Sequence, residues 1–404
     1  MREARSLLRE DDLRPQLWRY WVDLLSSWVG LIAGIQLMQA GALPWPARAA
    51  AFAMAVILGY RCALFTHEIA HQPEKNFRAF RFVWNLLIGI PFLMPSFTYS
   101  THLDHHRRRS YGTSHDGEYL PFGSRPVWHL LGYLAESFII PILAIVRFGV
   151  MTPLTWLGQP FRDWVHRHAS SMIIDPAYVR PLPSDRQLRN IRMQEIACFG
   201  FLVIASFMIV RSWMGVGILD PWLLPHVYAV AVTILFVNSV RTLGAHRYYY
   251  DRRAANDEPM SFTEQLLDSI NYPHRPWLTT LWAPVGLQYH ALHHLFPSMP
   301  YHAMPKAHRR LMEGLPADSP YRLTESPGLP QALANLWRRA RQSGQDTAPS
   351  SFTETVSPRG DVRHDAPTSG PITTPSRRHA TSYSAAPPPS RRSSAKGRSS
   401  QESS

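Results

Sequence analysis

Four long apolar stretches constrain the fold of this chain more than any other feature of its sequence. They cover about residues 22–43, 48–66, 196–213 and 222–240, and each is close to the length that a helix needs to cross a bilayer. Inside lipid the backbone must satisfy its own hydrogen bonds, which an isolated helix does. The sequence therefore predicts an all-α membrane protein with about four transmembrane helices.

Two further apolar stretches, residues 82–99 and 127–150, are predicted to be interfacial or re-entrant instead of spanning. Pro91 and Pro95 break the first, and the second contains charged residues and a proline. The first stretch also lies between two clusters of histidine. If both clusters bind one site, this stretch cannot cross the membrane.

The net charge of +13 is distributed unevenly along the chain. Arginine and lysine are abundant in the N-terminus, the middle segment and the C-terminal third, but nearly absent from the loops near residues 44–46 and 215–221. The positive-inside rule then places both termini in the cytoplasm, together with a histidine-rich helical cap. Because no nucleic-acid-binding module is recognisable, we interpret the basic charge as a topology signal and expect no nucleic-acid partner.

Composition divides the chain into a membrane domain, residues 1–335, and a tail, residues 340–404. The tail is rich in Ser, Pro and Arg and has almost no large apolar residues, so we expect it to be disordered. The two cysteines form no C-x-x-C motif, which excludes a thiolate zinc site and a disulfide framework.

Three histidine clusters carry the functional signal. They are T-H-E-I-A-H, T-H-L-D-H-H and Y-H-A-L-H-H, and they supply His67, His71, His102, His105, His106, His290, His293 and His294. Helical residues at i, i+3 and i+4 share one face, so we expect each cluster to direct its imidazoles at a common point. His246, just after the fourth apolar stretch, is a candidate ninth ligand.

Eight or nine imidazoles are too many for one metal ion, because zinc takes four ligands and iron at most six. The simplest interpretation is that two metal ions share these imidazole ligands. Carboxylates near the clusters are candidates for orienting the imidazoles; we favour Glu68 and Asp104, and Asp116, Asp251 and Asp268 are further candidates. Eight other histidines are predicted to be structural: His115, His129, His166, His168, His226, His274, His302 and His308.

The order and separation of the three clusters resemble the membrane fatty acid desaturase family. The resemblance covers about residues 18–311 and includes the sequence around the third cluster, L-W-A-P-V-G-L-Q-Y-H-A-L-H-H-L-F-P. It implies two iron ions, held by the eight cluster histidines and by His246, and molecular oxygen as co-substrate. Some members place an Asn ligand one turn before the residue that matches His246; here that position is Thr242, and Asn238 or Asn271 are weak substitutes.

The resemblance implies attack on an unactivated C–H bond of a membrane lipid or acyl chain. We expect desaturation first, with lipid hydroxylation or ketolation as the alternative. No haem or iron–sulfur module is visible, so electrons must come from an external ferredoxin-like or cytochrome-like donor.

Two other classes of protein are weaker hypotheses. H-E-x-x-H at His67–His71 is the zinc metalloprotease pattern, with Glu68 as general base, but it leaves the other clusters unexplained. A histidine-rich metal transporter would place ligands inside its spans, and these apolar stretches contain almost none.

Overall fold

The computed structural model describes residues 2–252 and 256–343, and these residues form helices and loops without a β-strand. The helices of the N-terminal half are α1 (Arg2–Ser6), α2 (Leu17–Gln39), α3 (Trp45–His71), α4 (Glu74–Trp84), α5 (His102–His105), α6 (Val127–Ala135), α7 (Ile140–Ile145), α8 (Thr152–Leu154) and α9 (Gln159–His168). Those of the C-terminal half are α10 (Asp185–Trp213), α11 (Leu223–Leu243), α12 (Phe262–Asp268), α13 (Pro276–Trp282), α14 (His290–Leu295), α15 (Met304–Gly314) and α16 (Leu329–Ser343).

Helices α2, α3, α10 and α11 are long and apolar enough to cross a membrane, with 23, 27, 29 and 21 residues. This confirms the prediction of about four spans. Only 11% of the apolar window of α10 is buried by the rest of the chain, which fits a lipid-facing helix. Helix α3 begins with Pro46 in its first turn and continues to His71, past the predicted end at residue 66, so it carries the first histidine cluster.

The two less regular apolar stretches are broken helices. Residues 82–99 contain the end of α4, a π-helical turn over Asn85–Gly89 and a 3-10 turn over Ser96–Tyr99. The helical segments Val127–Phe138 and Ile140–Leu154 meet at 54°, at a break next to Pro141, which cannot donate a backbone hydrogen bond. By length and composition they are one broken span or a re-entrant pair.

The core of the membrane domain is the antiparallel pair α2 and α3, with α11 packed against α3. Gly34 permits this close approach, because a Cβ there would lie 2.8 Å from the carbonyl oxygen of Ala51. The predicted tail falls mostly outside the described residues, although residues 340–343 form the end of α16.

Candidate metal centre

The nine candidate ligands gather into two groups at the ends of the long helices. The five-histidine group contains His67, His71, His102, His106 and His293, and the four-histidine group contains His105, His246, His290 and His294. Within each group, one ligand atom from every residue lies within 4.8 Å of those of all the others. The sequence prediction of two ions is therefore matched by two clusters of donor atoms.

Each H-x-x-H-H cluster is divided between the two groups, contrary to our expectation that each cluster serves one point. His102 and His106 join the five-histidine group, whereas His105, between them, joins the other. The third cluster is divided the opposite way, since His290 and His294 join the four-histidine group and His293 joins the five-histidine group. The helices α5 and α14 are thus shared, and neither group can form without both of them.

The nitrogen separations resemble those of ligands around one ion. The Nε2 atoms of His106 and His102, of His293 and His106, and of His290 and His246 are each 3.0 Å apart. With metal–nitrogen bonds of about 2.1 Å, ligands at right angles are separated by about 3.0 Å and tetrahedral ligands by about 3.4 Å. The donor atoms of each group are therefore close enough together to bind one ion.

Several imidazole nitrogens have no other role in the described part of the chain. Both ring nitrogens of His67 and the Nε2 of His71 are buried without a hydrogen-bond partner, which a native interior rarely tolerates unexplained. Burial lowers the pKa of His102, His290 and His293 well below the ordinary histidine value. These imidazoles are therefore neutral, which is the form that binds a metal, and a set of this kind fits iron.

Carboxylates contact three of the imidazoles at Nδ1, and two of these carboxylates, Asp116 and Asp268, are fully buried. The Nδ1 of His105 lies 2.8 Å from Asp116, and the Nδ1 of His102 lies 2.8 Å from Glu118. The Nδ1 of His246 lies 3.3 Å from Asp268. A partner on Nδ1 fixes the ring so that Nε2 points to the metal.

The charge of Asp116 is stabilised by its surroundings. Burial alone would raise the pKa of this carboxyl, but His105 and the backbone N–H groups of Gly112 and Glu118 outweigh burial and lower the pKa. Burial would likewise raise the pKa of Asp268, but interactions with His246 and the hydrogen bond from the Tyr111 hydroxyl outweigh burial and lower this pKa. Both groups stay ionised as hydrogen-bond acceptors for the imidazoles.

With this geometry established, the similarity of the chain to known proteins identifies its family. The model of the family described as "Fatty acid desaturase" matches residues 43–325. The chain belongs to the fatty acid desaturase family. It is therefore an integral membrane oxidoreductase of the lipid-modifying kind, as the histidine clusters predicted.

One relative of this desaturase-family chain is a ceramide hydroxylase from Caulobacter vibrioides (strain NA1000 / CB15N). It is 36% identical over 348 residues, which cover 85% of this chain and 95% of the relative. The name of the relative supports our alternative expectation, lipid hydroxylation, better than it supports desaturation.

The two carboxylates that we favoured from sequence bind other groups in this desaturase-family protein. Glu68 accepts a 2.5 Å hydrogen bond from the Tyr20 hydroxyl, and Asp104 pairs with Arg107 near the surface. Glu68 directly follows His67 on a helix, so its side chain points about 100° away from the imidazole. Of the other candidates, Asp116 and Asp268 contact imidazoles, and Asp251 accepts a hydrogen bond from the Ser124 hydroxyl.

Sequence reasoning missed Glu118, which lies in the loop after the second cluster. The available signal was the D-G-E sequence at 116–118, in which alternate residues hold His105 and His102. The amide of Asn271 binds the Leu292 N–H and the Thr324 hydroxyl, so this side chain is structural. The eight histidines predicted to be structural lie outside both groups; His308, for example, contacts Tyr321 and Glu325.

Proposed function

We propose that this protein is an oxygen-dependent di-iron lipid hydroxylase whose substrate is a ceramide. The observation that carries the proposal is the similarity to a ceramide hydroxylase over nearly the full length of that relative. The region of similarity is long enough to include the spans that surround a lipid as well as the metal centre.

The two histidine groups are the proposed iron sites, one ion in each. When bound and reduced, the two irons supply the oxygen activation that breaking an unactivated C–H bond requires. The four-histidine group offers one protein ligand fewer than the five-histidine group. Asp116, Glu118 and Asp268 orient the imidazoles around both sites.

The electron donor is proposed to be an external ferredoxin-like or cytochrome-like protein that approaches from the cytoplasm. A cleft of about 190 Å³ reaches His106 of one group and His294 of the other, beside Arg108 and Phe262. Arg107, Arg108 and Arg109 are exposed at this point, which suits an acidic partner. The positive-inside pattern supports a cytoplasmic position for this face and for both termini.

Desaturation is the second candidate, because the family is described by that activity. The two reactions differ in their product, so one experiment separates them. The protein is expressed in membranes supplied with a short-chain ceramide under isotopically heavy oxygen gas, and the lipids are analysed by mass spectrometry. Hydroxylation gives a ceramide with one heavy oxygen atom added.

A ceramide that loses two hydrogens and gains no label would instead establish desaturation and refute the proposal. The His293→Ala variant is the control for background activity of the host. An unchanged ceramide in membranes that contain the iron-loaded protein would exclude this substrate.

A further inference from the structure

Glu68, the glutamate of the H-E-x-x-H sequence, joins three parts of the fold. It lies on α3 and is 2% exposed. Its Oε2 atom accepts a 2.5 Å hydrogen bond from the Tyr20 hydroxyl of α2 and a 3.3 Å hydrogen bond from the backbone N–H of Tyr301. Tyr301 belongs to the turn between α14 and α15, residues 296–303. The carboxylate therefore links two membrane helices to the turn that follows the third histidine cluster.

The Tyr301 side chain makes a second link between this turn and the membrane helices. Its hydroxyl donates to Asp23 of α2 at 2.8 Å, and Arg61 of α3 pairs with the same carboxylate. Its ring packs edge-on against Tyr20, with the ring centroids 5.0 Å apart. Tyr301 is thus held at its backbone, its ring and its hydroxyl. We call Tyr20, Asp23, Glu68 and Tyr301 the tyrosine clamp.

The clamp is needed because α14 is too short to fix its own position. It has only six residues, and an isolated helix of that length is not stable in water. Near its start, the Leu292 N–H donates to the Asn271 side chain at 3.1 Å. Its other end leads into the turn held by the clamp, where the Gln72 side chain also donates to the Ser298 carbonyl at 3.2 Å. These contacts set the distance between α14 and α3.

That distance affects one histidine group more than the other. Helix α3 contributes His67 and His71 to the five-histidine group and no ligand to the four-histidine group. The ring centroid of His293, on α14, lies 4.2 Å from that of His67 and 4.6 Å from that of His71. Loosening α14 from α3 therefore separates ligands of the five-histidine group, whereas the four-histidine group is assembled without α3.

We propose that Glu68 and Tyr301 are positioning residues of the five-histidine group, and that they hold α14 against α3 so that His293 shares an ion with His67 and His71. This inference rests on the proposed function, in which that group holds one iron. It gives the glutamate of the H-E-x-x-H sequence a role in assembling the site, in place of the general base that a metalloprotease would require.

The first test separates the two irons by removing one of them in advance. The His290→Ala variant is expected to keep the iron of the five-histidine group, and the His293→Ala variant that of the four-histidine group. Glu68→Ala is introduced into each of these backgrounds in the full chain, and the rate of iron release to a chelator is measured in detergent. Glu74→Ala, which removes an exposed carboxylate of α4, is the matched control.

We expect Glu68→Ala to accelerate iron release about 10- to 100-fold in the His290→Ala background, and to leave it unchanged in the His293→Ala background. Tyr301→Phe should act in the same direction with a smaller effect, because it loses only one hydroxyl hydrogen bond. Glu68→Gln keeps an oxygen acceptor for both donors and should restore most of the iron retention. Glu74→Ala should have no effect in either background.

A second measurement tests the clamp without metal. Hydrogen exchange of the amides of residues 296–303 is followed in the iron-free full chain. Glu68→Ala removes the acceptor of the Tyr301 N–H, so exchange of this amide should be about tenfold to a hundredfold faster. Peptides from α10 and α11 should exchange as in the wild type, which shows that the variant is folded. Unchanged exchange at Tyr301 would overturn the clamp.

Equal acceleration of iron release in both backgrounds would indicate a general loosening of the fold and would overturn the positioning role. Unchanged release in the His290→Ala background would do the same. Either result leaves the proposed function intact if the wild type holds two irons and hydroxylates ceramide. A wild-type protein that binds no iron would overturn the proposed function together with this role of the clamp.

Discussion

The two histidine groups are built by different means. The five-histidine group takes ligands from all three sequence clusters, but among them His67 and His71 have buried nitrogens without hydrogen-bond partners. The four-histidine group has one ligand fewer, yet two of its members, His105 and His246, are held by buried aspartates. Carboxylates thus hold two of the four imidazoles in one group, but only one of the five, His102 through Glu118, in the other, so the two should respond differently to mutation.

The largest expected effect is the loss of one ligand from either group. His293→Ala and His290→Ala should each abolish product formation, with a loss greater than the roughly 100-fold that removing a supporting partner costs. Each variant should keep one iron, because the other group retains its full set. Metal analysis and product assay check this, with His308→Ala, a buried histidine outside both groups, as the control that keeps two irons.

The aspartates behind the four-histidine group should give the next largest effect. Asp268→Asn and Asp116→Asn should each weaken iron retention by about 10- to 100-fold, and only one of the two irons should be affected. The rate of iron loss to a chelator measures this. In the variants we expect iron to be lost in two phases, a fast one and a slow one. If the loss of both irons were accelerated equally, the proposed difference between the groups would be contradicted.

A smaller effect is expected from Tyr111→Phe. The hydroxyl donates to Asp268 at 2.9 Å and lies 2.8 Å from the Nδ1 of His246, so it fixes both partners. Its removal should cost about 1 kcal/mol, or about fivefold in chelator resistance of the four-histidine group. An unchanged rate of iron loss would show that Asp268 orients His246 without this help.

The smallest effect should follow Asp104→Asn, although this residue lies inside the second cluster. Its carboxylate pairs with Arg107 near the surface, and exposed pairs contribute about 0–1 kcal/mol. Iron content and activity should stay within about twofold of wild type. A loss as large as that of Asp268→Asn would mean that Asp104 supports an imidazole after all.

Much of the fold was predictable, because lipid imposes rules that act on local sequence. Long apolar runs specified the four spans, and prolines specified the breaks in residues 82–99 and 127–150. The ends of the helices were not predictable to the residue. Helix α3 continues beyond the apolar run to His71, with Gln72 as its C-cap directly before Pro73, so hydropathy alone did not give its end.

The candidate ligands were found from spacing, but their partition into two groups was not. Residues at i and i+4 in each H-x-x-H-H cluster serve one group and i+3 serves the other, which only the arrangement of α5 and α14 determines. Being next to a ligand in sequence did not identify the carboxylates that contact the imidazoles. Glu68 and Asp104 are next to ligands in sequence but point elsewhere, whereas Glu118 contacts His102 although it lies 16 positions later in the chain.

The count of iron in the purified protein tests the central claim most directly. The protein is expressed with added iron, purified in detergent and analysed for metals, alongside His293→Ala and His290→Ala. Two irons per chain, falling to one in either variant, is the predicted result. One zinc per chain that depends on His67 and His71 but survives both substitutions would contradict the di-iron assignment and favour the metalloprotease pattern.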